Sequence, residues 1–131
     1  CLFEVKLHMA RILVIEDDST HRRIIREILN AYSHDVTDAE DGDMGIRLQQ
    51  DHGFDLIVTD ILMPGKEGIE TVRELVRLYP DVRILAISAY KEGYLEAARK
   101  FGAMETLAKP FEPEELAGCV DDCLQRKPGS A

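Results

Sequence analysis

A doubly wound α/β fold, with helices covering both faces of one five-stranded parallel sheet, is predicted by three observations. Short strand-like segments alternate five times with amphipathic helical segments along the chain. Three of them have purely apolar cores, "ILVI" (12–15), "LIV" (56–58) and "ILAI" (84–87), as strands buried on both faces require. At 131 residues, with 45% hydrophobic and 31% charged residues, the chain has the size and balance of one globular domain with a single core.

The first strand is "RILVI" (11–15). In "STHRRIIREILNAY" Ile24, Ile25, Ile28 and Leu29 recur at helical spacing, with Arg22, Arg23 and Arg26 elsewhere around the turn and Ser19 or Thr20 as the expected N-cap. "DVTDA" (35–39) is a mixed strand, and the helix after it, around 43–51, ends at Gly53. "DLIVT" (55–59) precedes a helix over about 68–78, punctuated by Pro80. "RILAI" (83–87), a helix around 91–101 closed by Gly102, "METLA" (104–108) and a last helix over about 113–126 complete the alternation. The mixed second and fifth strands suit sheet edges, which gives the flavodoxin-like order 2-1-3-4-5. In such sheets ligands sit beyond the carboxyl ends of the strands, at the switch point between the first and third. The segment "CLFEVKLH" (1–8) reads as an artificial remnant or a fragment of something upstream, ahead of a natural start at Met9. The domain is expected over 9–127, with 128–131 a tail or the start of a linker.

Charge and composition exclude several classes of function. A net charge of −9, a pI near 4.9, few aromatics and no Trp leave nothing with which to grip a phosphate backbone or stack bases, so no direct nucleic-acid contact is expected. No apolar run reaches the roughly 18 residues of a membrane span and no signal peptide is visible, so the expectation is a cytoplasmic protein away from membranes. Cys1, Cys119 and Cys123 have neither metal-ligand spacing nor the count of a disulfide framework, and Cys119 and Cys123 share one helical face. The four histidines are scattered, without the spacing of a zinc site.

Chemistry concentrates at the carboxyl ends of the strands. The first delivers Glu16, Asp17 and Asp18, the third Asp60, the fourth Ser88 and the fifth Lys109 followed by Pro110. Two unit charges about 4 Å apart interact by roughly 4 kcal/mol at an effective dielectric near 20, so carboxylates gathered in one crevice need a positive partner. Hard oxygen donors suit Mg²⁺, which takes one or two carboxylates, keeps several waters and tolerates phosphate oxygens.

With these residues in place the chain resembles a response-regulator receiver domain, from about Arg11 to Arg126. The family's acidic pair matches Glu16 and Asp17, its phosphoacceptor Asp60 in "TDILMPGKEG", its hydroxyl residue Ser88 in "AISAY" and its lysine Lys109 in "AKPF". The resemblance implies that Asp60 takes a phosphoryl group from a phosphohistidine on a sensor histidine kinase or histidine phosphotransfer protein. It implies Mg²⁺ held by Asp17, Asp60 and the backbone carbonyl of Leu62, with Glu16 acting through water, while Lys109 and Ser88 contact the phosphoryl oxygens. It also implies a cis bond between Lys109 and Pro110 and an output domain or downstream protein reached through the last two helices, while Gly65 and Gly68 are expected to shape the loop after the nucleophile where backbone approaches the metal, or to serve ordinary turn chemistry. The oligomeric state expected is a monomer or a phosphorylation-dependent dimer. Arg22, Arg23 and Arg26 lie where receivers dock their kinases, or form a solvated helix face.

One position departs from the family. Three residues before the lysine, where an aromatic often swings inward, the chain has Thr106, which directs attention to the loop after Ser88 and to Tyr90. Leu62 and Tyr90 flank the approach of a hydrolytic water, so their bulk is expected to tune phosphoryl lifetime. A flavin mononucleotide carrier would need a Gly-rich and hydroxyl-rich loop where "EDDST" stands, and a phosphatase with an aspartyl-phosphate intermediate would need its nucleophile after the first strand, where Glu16 stands. The closer alternative is a receiver-like interaction module that is not phosphorylated.

Overall fold

The computed structural model describes residues 9–61, 68–89 and 93–127. Five parallel strands, β1 (Arg11–Ile15), β2 (Asp35–Ala39), β3 (Leu56–Asp60), β4 (Ile84–Ser88) and β5 (Glu105–Ala108), form one sheet in the order β2-β1-β3-β4-β5. The apolar β3 and β4 are buried at every position, whereas the mixed β2 and β5 lie at the edges with most of their residues half-buried. Burial on two faces is what a purely apolar strand stabilises, at roughly 1.5–3 kcal/mol for each fully buried large side chain.

Alternation along each strand sends successive side chains to opposite layers. Ile12, Val14, Leu56, Val58, Leu85 and Ile87 meet α1 (Ser19–Ala31) and α5 (Pro113–Gln125) through Ile25, Leu29, Leu116 and Val120. Leu13, Ile15, Ile57, Ile84 and Ala86 meet the other layer, α2 (Gly42–His52), α3 (Gly68–Leu78) and α4 (Tyr94–Lys100), through Ile46, Val72, Leu75 and Ala98. The doubly wound reading therefore holds. Of the apolar residues on α1, Ile25 and Leu29 are buried and Ile28 packs beside them, but Ile24 stands 44% exposed.

Several local expectations are corrected. The cap of α1 is Asp18, whose Oδ1 accepts the Thr20 and His21 N–H groups at 2.9 and 3.2 Å, so Ser19 and Thr20 lie inside the first turn. A carboxylate there satisfies two orphan donors and complements the helix dipole, worth about 1 kcal/mol in typical hosts. β3 and β4 each run one residue further than "DLIVT" and "RILAI" suggested, so Asp60 and Ser88 are the last residues of their strands. α4 is shorter than expected, between Gly93 (φ 83°) and Gly102 (φ 122°). Leu62, Gly65 and Tyr90 lie outside the described residues.

Candidate functional site

Register decides which side chains meet. Ile15 pairs with Thr59, Asp60 with Ile87 and Ser88 with Ala108, so Glu16, Asp60, Ser88 and Lys109 all emerge at the carboxyl edge of the three inner strands and β5. Backbone bonds continue the ladder past the strand ends: Ile61 N–H donates to Ile87 O at 3.1 Å and Lys109 N–H to Ser88 O at 2.8 Å. The Lys109–Pro110 bond is cis, as expected. Gly68, the first residue of α3, lies flush against the chain just after β3, where a Cβ would overlap the Ile61 Cα and crowd the Asp60 carbonyl.

Lys109 Nζ bridges two acids, donating to Asp60 Oδ2 at 2.7 Å and to Glu16 Oε1 at 3.0 Å. All three are largely withdrawn from water, with side-chain exposures of 15% for Lys109, 7% for Asp60 and 1% for Glu16. Burial and then the Asp60 charge push the Glu16 carboxyl up from an ordinary 4.5 to about 7, against the opposing pull of Lys109. Burial alone would lower the Lys109 pKa, but its hydrogen bonds and charge pairing with Asp60 and Glu16 prevail and raise it. Ser88 is fully buried beside this group. Asp17 is exposed at the rim, and Asp18 is occupied as the α1 cap, its pKa lowered chiefly by the His21 N–H.

The donor set suits a small divalent cation in part. Two buried carboxylates share one ammonium, leaving a deficit of positive charge that a hard cation would neutralise, and Asp17 is adjacent in sequence at the solvent side. Among the described residues no three acidic, His or Cys side chains stand close enough to hold a metal by themselves. Any ion here would depend on oxygen donors besides these side chains, water among them.

Two further features adjoin the pocket. An open groove of about 410 Å³, mainly apolar, runs from Ile24 and Ile25 of α1 past Lys109 to Pro110 and Phe111. On α4, Arg99 Nη2 donates to Thr106 Oγ1 at 3.0 Å and pairs with Glu105 at 3.3 Å, so Thr106 of β5 is bonded to α4. Sequence reasoning missed this link, and also missed Arg22, whose Nη1 donates to the Glu16 carbonyl at 2.7 Å. Neither contact has a periodicity or motif to announce it. Burial raises both thiol pKa values on α5, that of Cys123 to about 11, which keeps them protonated and inert near neutrality.

Comparison with known proteins is consistent with this arrangement. Residues 12–121 match the response regulator receiver domain family. The DNA-binding transcriptional regulator NtrC of Azospirillum brasilense is 33% identical over 117 residues, covering 88% of this chain and 24% of its own length. The transcriptional regulatory protein DegU of Brevibacillus brevis is 32% identical over 120 residues, covering 89% and 51%. The chain thus spans about a quarter to a half of the length of these curated relatives. Among solved structures, a response regulator receiver domain protein of Clostridium thermocellum superposes with a TM-score of 0.84 at 28% identity, covering 89% of this chain and 95% of that one. The chemotaxis protein CheY4 of Vibrio cholerae gives 0.83 at 27% identity, covering 88% and 99%. Among the described residues no helix is long and apolar enough to cross a membrane.

Proposed function

The chain belongs to the response regulator receiver domain family of two-component signalling, and from that premise we propose that residues 9–127 form the phosphoacceptor unit and that Asp60 is its nucleophile. The observation that carries this reading is the buried Glu16–Lys109–Asp60 triad at the strand ends, since burying two carboxylates around one ammonium is costly and such clusters concentrate at functional sites. An Asp60 carboxylate oxygen attacks the phosphorus of a phosphohistidine. The O–P bond forms as the P–N bond breaks, and the imidazole nitrogen keeps the electron pair and takes a proton from solvent. Lys109 holds Asp60 before transfer and moves its hydrogen bond to a phosphoryl oxygen afterwards, and Ser88 donates its hydroxyl to another. Glu16 and Asp17, with Asp60 and the carbonyl of Leu62, would hold Mg²⁺. Bound there, the ion supplies the positive charge that balances the carboxylates and the phosphoryl oxygens.

The donor would be a sensor histidine kinase or a histidine phosphotransfer protein, seated on the apolar groove beside α1 and Lys109. The product switches an output domain or separate partner at the α4 and α5 side of the molecule, and the setting is the cytoplasm. Incubation with acetyl phosphate, with and without Mg²⁺, tests the assignment by intact mass. One phosphoryl addition that needs Mg²⁺ and disappears in Asp60→Asn is the expected result. A folded wild type that takes up no phosphoryl group, and gives no beryllofluoride-induced chemical-shift change, would leave the unphosphorylated interaction module as the better account.

A further inference from the structure

Glu16 has almost no freedom left. Its N–H donates to Ala39 O at 3.0 Å, its Oε1 accepts from Lys109 at 3.0 Å, and its Oε2 accepts the Asp18 N–H at 3.2 Å. The remaining group, the backbone carbonyl, accepts from Arg22 Nη1 at 2.7 Å. Arg22 is itself braced. Its Nε faces Asp38 Oδ2 of β2 at 3.6 Å, and the same oxygen accepts from Arg26 Nη1 at 2.9 Å. The Arg22 side chain is only 20% exposed, so solvent does little to loosen the arrangement.

The peptide unit whose oxygen Arg22 holds is the one that joins Glu16 to Asp17. The geometry points to Arg22 as a positioning residue for the acidic pair: by fixing that peptide it sets the placement of Asp17 relative to the buried Glu16, and so the affinity of the pocket for a divalent cation. The inference rests on the reading of this pocket as a Mg²⁺-dependent phosphoacceptor. Charge alone argues for the opposite effect, because a guanidinium beside carboxylates repels a cation and its removal should tighten binding. The sign of the change therefore separates positioning from simple electrostatics.

The test is a Mg²⁺ binding isotherm on the unphosphorylated protein, followed by backbone amide chemical shifts, for wild type, Arg22→Ala, Arg22→Lys and Arg26→Ala. Arg26→Ala removes the same charge from Asp38 without touching the Glu16 carbonyl. The expected result is at least fivefold weaker binding in Arg22→Ala, partial recovery in Arg22→Lys, which keeps a cationic donor without the planar fork, and unchanged or tighter binding in Arg26→Ala. Acetyl phosphate modification of Arg22→Ala should be slow at low Mg²⁺ and return to the wild-type rate at saturating Mg²⁺. Unchanged or tighter Mg²⁺ binding in a folded Arg22→Ala overturns the proposal. If that variant does not fold, Arg22→Lys decides it: the charge is kept and only the donor geometry changes, so Mg²⁺ binding weaker than wild type supports the proposal and unchanged or tighter binding overturns it. Failure here is distinct from failure of the parent reading: the latter shows as a wild type that is never modified at Asp60, the former as a wild type that is modified and an Arg22→Ala that binds Mg²⁺ just as well.

Discussion

Lys109 reaches Asp60 across 49 residues of sequence to make a 2.7 Å ion pair, and shares the same ammonium with Glu16. One cation between two buried carboxylates is an unstable bargain if the cation goes. In Lys109→Met both acids lose their shared counter-charge, and the variant is expected to lose about 3–5 kcal/mol of stability above pH 7. The loss should shrink toward pH 5, where Glu16 is protonated, and in the double variant with Asp60→Asn. Urea denaturation at the two pH values measures both; an equal loss at each would mean that the ammonium contributes packing and little charge.

Glu16 also predicts how stability depends on pH. Folded Glu16 holds its proton to about pH 7, while the unfolded chain releases it near 4.5, so the native state binds more protons across that interval. Its contribution is whole below pH 4.5, falls as pH rises and is gone above 7, a span of up to ~3 kcal/mol. Lys109, whose pKa is raised, keeps its contribution up to 10.5 and loses it only as pH passes the folded value. Melting temperatures between pH 4.5 and 7.5 should decline in the wild type more steeply than in Glu16→Gln. Parallel slopes would show that Glu16 titrates normally.

Gly68 gives the third expectation. A methyl group there overlaps backbone, at Ile61 and the Asp60 carbonyl, which cannot rotate away as a side chain would. Gly68→Ala should cost about 1–3 kcal/mol by overpacking and also slow Asp60 modification, because the strain is relieved by moving the nucleophile's own peptide. Chemical denaturation alongside the acetyl phosphate rate distinguishes this from a stability loss alone.

The bond from Arg99 to Thr106 is a fourth target. Both partners of the nearby Arg99–Glu105 pair are partly exposed, at 48% and 29%, so Arg99→Ala should change global stability by no more than about 1 kcal/mol. Amide exchange in residues 94–100 should nonetheless quicken severalfold, since α4 loses its side-chain tie to β5. Unaltered exchange there would assign the restraint to the apolar contact of Ala98 instead.

How much of this was legible depended on the range of the interaction. The uniform apolar runs around Ile12, Leu56 and Ile84 announce inner strands, and the mixed "DVTDA" and "METLA" announce edges, because burial on two faces leaves its mark on every residue. The convergence of Glu16, Asp60, Ser88 and Lys109 was readable because each stands at or just past the carboxyl end of its strand. Strand and helix ends slipped by one to three residues where capping decides them, as at Asp18, which competes with Ser19 and Thr20 for one role. Arg22 and Arg99 were opaque for a different reason. Long flexible side chains on exposed helix faces look alike in sequence, and only the third dimension shows that one reaches Glu16 and the other Thr106.

α4 closes the account. It has seven residues, begins at a positive-φ glycine with no side-chain cap bond, and is the shortest helix among the described residues. Helices of this length have little cooperativity of their own, so its order is borrowed from Ala98 beneath it and Arg99 at its flank. Among the described helices, α4 is then expected to open at the lowest free energy. This helix is then expected to be the first unit to detach and the last to join, and under the proposed function it is where an event at Asp60 would register as a change in order, with the sheet as a fixed reference.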